Sequence, residues 1–290
     1  TIAVYQRDAV YDWHYEKPGK RNTILTETKD IQFVHVENEF VSFTNERLSP
    51  HMLSTQGPKM SVGDVNGDKL EDVFIGGAAG QPAQLFQQGR SGVLKSIAQQ
   101  SITSDSLAED VASAFFDADG NGTLDLMVVG GGQEFSGQDK NLKPRLYLNS
   151  GKGNFKKAGQ NMPDVFLNAS CVKPGDIDRD GDLDLFIGGR VLTGQYGLDP
   201  SSFILINNGK GVFSNQTQKF LDHNGALGMV TDATWLDVNN DKRLDLVVVG
   251  EWMPITILIQ SESGKFQNKT IESNLNNTNG WWNTIASSDF

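Results

Sequence analysis

From about residue 58 the chain repeats one alternation of apolar and polar stretches. A short apolar segment comes first (60–62, 111–116, 231–235), and a polar, acidic loop follows it. The loop runs into a β-branched stretch ending in glycine (73–77, 126–130, 185–189, 246–250). A connection of variable length leads to a third apolar stretch (84–87, 145–149, 203–207, 255–259). Asn- and Gly-rich turns such as 149–154 and 207–211 then open a fourth (154–157, 212–215, 265–268). Apolar runs this short, bounded by Gly, Asn and Asp, read as strands joined by turns that accept left-handed backbone angles.

Four antiparallel strands per repeat, in tandem, predict an all-β chain built as a β-propeller of four-stranded blades. A blade is too small to bury its faces alone and is stabilised by stacking on its neighbours. A β-solenoid is the weaker alternative, because solenoid coils are shorter and need no paired hairpins. Residues 1–45 precede the clear repeats as an N-terminal extension. Within it, 31–36 (Ile-Gln-Phe-Val-His-Val) predicts an outermost, blade-closing strand, and the aromatic segment 11–18 has no assignable partner. Residues 46–290 hold four full repeats and, at Asp289, the start of a fifth. The chain begins at Thr1 and ends inside that fifth unit. The expectation is therefore a processed or cut piece, part of a larger propeller.

The loops between first and second strands carry the chemistry. They place Asp64, Asn66, Asp68 and Asp72; Asp117, Asp119, Asn121 and Asp125; Asp176, Asp178, Asp180 and Asp184; and Asp237, Asn239, Asp241 and Asp245 at positions 1, 3, 5 and 9. Their first aspartates lie 53, 59 and 61 residues apart. Oxygen ligands on alternate residues of a tight loop suit Ca²⁺, which takes about six to eight of them. Zinc and copper would recruit His and Cys. One acidic loop alone is an ordinary solvated turn; four with one spacing predict about four calcium sites. The third offers the most charge and should bind tightest.

These stretches resemble the FG-GAP repeats of integrin α-subunit propellers and the VCBS repeats of bacterial surface proteins. The resemblance is greatest to the cartilage acidic protein (ASPIC/UnbV) family and its bacterial relatives. It rests on 57–68, 74–82, 145–149 and 250–254 and spans roughly residues 31–290. It implies a calcium-stabilised propeller on an exported protein, with no common enzymatic activity. Lys69 and Lys242 stand where the family usually has Gly. A lysine there must hold φ > 0 or distort the loop, at about 1 kcal/mol, so those two loops should bind more weakly.

Net charge changes the picture only locally. The value of −11 disfavours nucleic acid and anionic membranes as partners, and the metal loops account for much of it. The single cysteine, Cys171, lies among strand residues and reads as a small buried apolar group. No apolar run reaches the ~18 residues of a membrane span. Several low-charge calcium sites point to an extracellular or cell-surface location, and the resemblance implies a bacterial, outer-membrane-associated one.

If the metal loops share one face, the connections between second and third strands share the other. Those connections carry Glu134, Phe135, Arg190, Tyr196, Glu251 and Trp252, rich in the residue types that dominate binding hot spots. Each has an ordinary alternative: Trp252 capping a blade, Phe135 folding into its own loop. The reading is a non-enzymatic module binding a protein or a glycan at the cell surface. A scaffold of a larger surface complex is one alternative. A polysaccharide lyase or glycosidase using Glu134, Asp139 or Glu251 is the other, weakened by the scatter of His14, His35, His51 and His223.

Overall fold

Each acidic loop closes a hairpin, and the hairpins set the architecture. The computed structural model describes residues 31–288. The first sheet contains β1 (Met60–Gly63), β2 (Asp72–Ile75), β3 (Gln84–Gln88) and β4 (Leu94–Ile97). The second contains β5 (Asp110–Phe116), β6 (Asp125–Gly130), β7 (Arg145–Asn149) and β8 (Phe155–Lys157). The third contains β9 (Asn168–Gly175), β10 (Asp184–Val191), β11 (Phe203–Ile206) and β12 (Ser214–Asn215). The fourth contains β13 (Met229–Leu236), β14 (Asp245–Met253), β15 (Thr256–Gln260) and β16 (Phe266–Asn268), and β17 (Gly280–Trp281) pairs with the far half of β14. Within each sheet the strands pair antiparallel in chain order. These are propeller blades. Among the described residues the α-helices are two four-residue turns, Gln100–Thr103 and Thr217–Phe220.

The first strands β1, β5, β9 and β13 neighbour one another in succession. Cores lie between blades, which explains why the second strands are apolar on both faces. Leu126 and Val128 of β6 pack toward the first blade with Phe74, Leu85 and Tyr147. Met127 and Val129, pointing the opposite way, pack toward the third blade with Leu167, Leu185 and Ile187. Phe186 of β10 faces the fourth blade, with Val230, Leu246 and Val248. Cys171 is a buried free thiol in that same core. Each fully buried side chain of this size contributes about 1.5–3 kcal/mol.

Glycines mark where backbone crosses backbone. A Cβ on Gly77, Gly130 or Gly189 would meet the carbonyl oxygen of Gln81, Asn141 or Ser201 at 2.0, 2.3 and 2.4 Å. The glycine ending each of these β-branched stretches therefore admits the connection folding back over it.

Three expectations change. β4 and β9 complete the first and third blades where the apolar pattern predicts no strand. Residues 31–36 form no strand: exposure alternates along them, but the Val34 carbonyl and Val36 N–H bond the side-chain amide of Gln81 at 2.7 and 3.0 Å. The segment is extended but is held by a side chain in place of a ladder. Lastly, β10 runs through Val191 and β14 through Met253, so Arg190, Glu251 and Trp252 belong to strands and not to connections. Residues 1–30 and Asp289 lie outside the described residues. Just before Asp289 the chain runs beside β13, with Thr284 and Ile285 donating to Asp232 at 2.8 and 3.1 Å.

Candidate metal loops and the opposite face

The four loops share a frame set by the last aspartate of each. Asp72, Asp125, Asp184 and Asp245 are fully buried and open the second strands, opposite the residue that precedes each loop. One oxygen accepts the N–H of loop position 2: Val65 at 3.1 Å, and Ala118, Ile177 and Val238 at 2.9 Å. The other accepts the N–H of the residue ending or following the third strand: Gln88, Asn149, Asn207 and Gln260, at 2.7–2.9 Å. Two bonds leave each carboxylate with lone pairs for a metal. Burial first of all raises Asp184 to about 7 and Asp125 to about 6, against the lowering by these backbone donors.

The residues ending or following the third strands tie neighbouring blades together. Asn149, Asn207 and Gln260 donate their side-chain amides to the position-2 carbonyl of the preceding blade's loop, Val65, Ala118 and Ile177, at 2.7–2.8 Å. Nothing about one repeat in isolation reveals this. The recurrence of Gln or Asn at the same place in all four repeats was its only trace in the sequence.

The loops differ in what they offer a cation. In the second and third, carboxylate oxygens of Asp117, Asp119 and Asp125, and of Asp176, Asp178 and Asp184, gather within 4.8 Å of one another. The third is the more open. Asp176 Oδ1 and Asp182 Oδ1 are buried there without a hydrogen-bond partner, and Asp180 accepts from Asp182 N–H at 3.2 Å. An all-oxygen set with orphaned buried acceptors fits a hard divalent cation. In the second loop Asn121 turns its oxygen to Thr123 N–H at 2.8 Å, and Asp117 accepts from Gly120, Asn121 and Gly122.

The first and fourth loops do not gather three carboxylates in this way. Asp64 is wrapped by the N–H groups of Asn66, Gly67, Asp68 and Lys69; these hold its carboxyl low against the raising effect of burial. In the fourth, Asp237 accepts from Asp241 and Lys242 N–H. The Arg243 guanidinium and the Asn239 amide both donate to Asp241 Oδ2, which takes up part of the charge a metal would meet. Lys69 and Lys242 hold φ of 68° and 69°, the left-handed angles expected of the position where Gly122 and Gly181 stand in the other loops.

On the opposite face the expected partner residues separate into two groups. Arg190, Glu251, Tyr196 and Trp252 form one network. Arg190 Nη2 donates to Glu251 Oε1 at 2.5 Å, Tyr196 donates its hydroxyl to Glu251 Oε2 at 2.8 Å, and Trp252 Nε1 donates to the Tyr196 hydroxyl oxygen at 3.0 Å. Arg190 and Glu251 are buried, so they support this face from beneath; Trp252, 59% exposed, is what it presents. Trp252 holds φ of 59°. Two residues missed in the sequence complete the patch: Trp281 packs edge-on to Trp252 with centroids 5.2 Å apart, and His51 lies 3.3 Å from Glu251 and edge-on to Trp281. Both come from segments far away in sequence and carry no motif.

Glu134 belongs elsewhere. It accepts from Asn38 at 3.1 Å, and Gly132 sits against both it and Glu109. Glu109 is fully buried, and burial above all, with Glu37 and Glu134 adding to it, raises its carboxyl to about 8. Phe135 contributes its backbone: its carbonyl accepts from Thr193, whose hydroxyl accepts from Asn168. Asp139, a further carboxylate of this face, caps a short turn through Asn141 N–H at 2.8 Å.

Residues 64–128 and 132–187 match the FG-GAP-like repeat family. These two stretches are similar to FG-GAP-like repeats. The matched stretches contain the first three acidic loops, and the fourth loop shares their spacing and the frame set by its last aspartate. No curated protein sequence matches the chain. One solved structure concerns specific recognition of non-reducing terminal N-acetylglucosamine by an Agrocybe aegerita lectin. It is similar with a TM-score of 0.48 and 17% identity, over 75% of this chain and 52% of that one. The chain thus spans about half the length of that lectin chain.

Proposed function

We propose that this chain is a non-catalytic binding module: an exported propeller, stabilised by calcium on one face, that holds a protein or a glycan at the cell surface with the other. The observation that carries the reading is the aromatic patch of Trp252, Trp281 and Tyr196, set over the buried Arg190–Glu251 pair at the ends of strands away from the metal loops. Exposed aromatics held rigidly by a hydrogen-bonded layer beneath them are what a binding surface needs, since little side-chain entropy is left to lose.

Calcium would be held by Asp176, Asp178 and Asp184 in the third loop and by Asp117, Asp119 and Asp125 in the second. There it supplies positive charge among carboxylates that otherwise repel. The first and fourth loops are partly satisfied by their own N–H groups and by Arg243, and bind more weakly. Glu251 is bonded through both oxygens, and Asp139 caps a turn, which favours binding over acid–base chemistry.

Pull-down of surface protein and glycan fractions with the 290-residue chain tests the reading. Capture that is lost in Trp252→Ala, with the melting temperature kept, supports it. Capture that does not depend on Trp252 or Tyr196, or turnover of a captured polysaccharide, contradicts it.

A further inference from the structure

A cavity of about 260 Å³ lies where the first strands of the four blades meet, at the end away from the metal loops. Its wall takes residues from the segment just before β1, from the second, third and fourth blades, and from the segment after β17. Gln56, Lys59, Ser170, Arg190, Thr231 and Asn283 are its polar lining, and among the described residues no carboxylate lines it. In a chain of net charge −11 that composition stands apart.

Arg190 is the decisive group. Its side chain is 6% exposed, and one terminal nitrogen is committed to Glu251. The other, Nη1, is buried and has no hydrogen-bond partner. A buried guanidinium N–H without an acceptor is costly, and such groups are nearly always matched by something that fills the gap. Lys59, on the same wall, makes no ion pair among the described residues. Glu251 neutralises one of the two cations, so the cavity offers a net single positive charge. Ser170 and Thr231 already donate to the Gly188 and Trp282 carbonyls and keep lone pairs to accept from hydroxyls.

We infer that this axial cavity binds the carboxylate of an acidic sugar, a uronate, through the Arg190 guanidinium and Lys59 Nζ. Gln56, Ser170, Thr231 and Asn283 meet its hydroxyls. The inference rests on reading this face as the binding face, and it adds the ligand's chemical class. A single carboxylate matches the net charge, and the polar lining matches a ring that carries hydroxyls.

Titration of the full chain with galacturonate and glucuronate oligosaccharides at low salt, followed by calorimetry, tests it. The methyl esters of the same sugars serve as neutral isosteres. The expected result is binding of the acids, with the esters at least about tenfold weaker, as loss of a charge-assisted bond implies. Lys59→Gln should weaken the acids by a similar factor at unchanged melting temperature, because Lys59 is exposed. Arg190→Gln should abolish binding, and if that variant fails to fold, Lys59→Gln alone decides. Equal binding of acid and ester, no binding of either, binding of acidic peptides but not uronates, or an unaffected Lys59→Gln variant would each overturn the inference. Loss of uronate binding while partner capture still depends on Trp252 would leave the wider binding reading standing.

Discussion

Asn149 donates its side-chain amide to the carbonyl of Val65, 2.7 Å away in the first acidic loop, while its own N–H is held by Asp125 of the second blade at 2.7 Å. One residue therefore joins the loop of one blade to the frame of the next. Asn207 and Gln260 repeat the arrangement. Because the bonded carbonyl belongs to loop position 2, between the proposed ligands, loop shape and blade stacking are coupled.

The first prediction follows from that link. Asn207→Ala leaves the buried carbonyl of Ala118 without this donor, and it should cost about 1–3 kcal/mol in urea denaturation. Gln218→Ala, at an exposed position, should cost less than about 0.5 kcal/mol. Equal, small effects would show that the amide link is incidental.

Charge distinguishes the loops. Asp178→Ala removes a carboxylate from a gathered set, whereas Asn239→Ala removes a neutral group from a loop already paired with Arg243. In calcium, Asp178→Ala should lower stability more than Asn239→Ala. Arg243→Gln should raise the calcium affinity of the fourth loop by freeing Asp241. Calorimetric titration of the three variants checks the order; the reverse order would contradict the assignment.

Much of this was legible in the sequence. The four hairpins, their loops and the all-β class followed from the recurring aspartates and from strands apolar on both faces, because local spacing fixes both. Left-handed angles at Lys69 and Lys242 were also foreseeable, since position 6 of the loop demands them. What the sequence hid depends on contacts across blades. Glu251 reads as an exposed acid until β10 and β14 bring Arg190 against it, and Trp281 meets Trp252 only because β17 pairs back onto β14. The segment 31–36 has a strand-like composition, yet its backbone finds a glutamine side chain and no neighbouring strand.

Stability should fall with rising pH on account of Glu109. Its carboxyl in the folded state, at about 8, lies above the ordinary 4.5, so the native state binds the proton more tightly than the unfolded chain does. The stabilisation is fully present below about pH 4.5 and is lost as pH rises through about 8, with a slope of at most about 1.4 kcal/mol per pH unit. Glu109→Gln should flatten this part of the profile and gain stability at pH 8 relative to the parent. A variant that parallels the parent across pH 5–8 would refute the claim.

Backbone strain at Trp252 gives a test that separates binding from folding. Its φ of 59° costs about 1 kcal/mol for a side chain other than glycine. Trp252→Gly relieves that strain while losing the hydrogen bond to Tyr196 and the contact with Trp281. Net stability should stay within about 1 kcal/mol of the parent, and partner capture should be lost. A large fall in melting temperature would make Trp252 a structural residue.

Metal dependence reaches the core of the account. Calcium bound only to the native state adds RT ln(1 + [Ca]/Kd), about 2.7 kcal/mol per site at a hundredfold excess. For a chain of this size each kcal/mol moves the melting temperature by about 2–4 °C. Scanning calorimetry of the chain in millimolar calcium and after chelation, with bound metal counted by atomic emission, is therefore the most direct measurement. At least two tightly bound calcium ions per chain are expected, with a fall of about 10 °C or more on their removal. An unchanged melting temperature with no calcium bound would reduce the four loops to acidic turns.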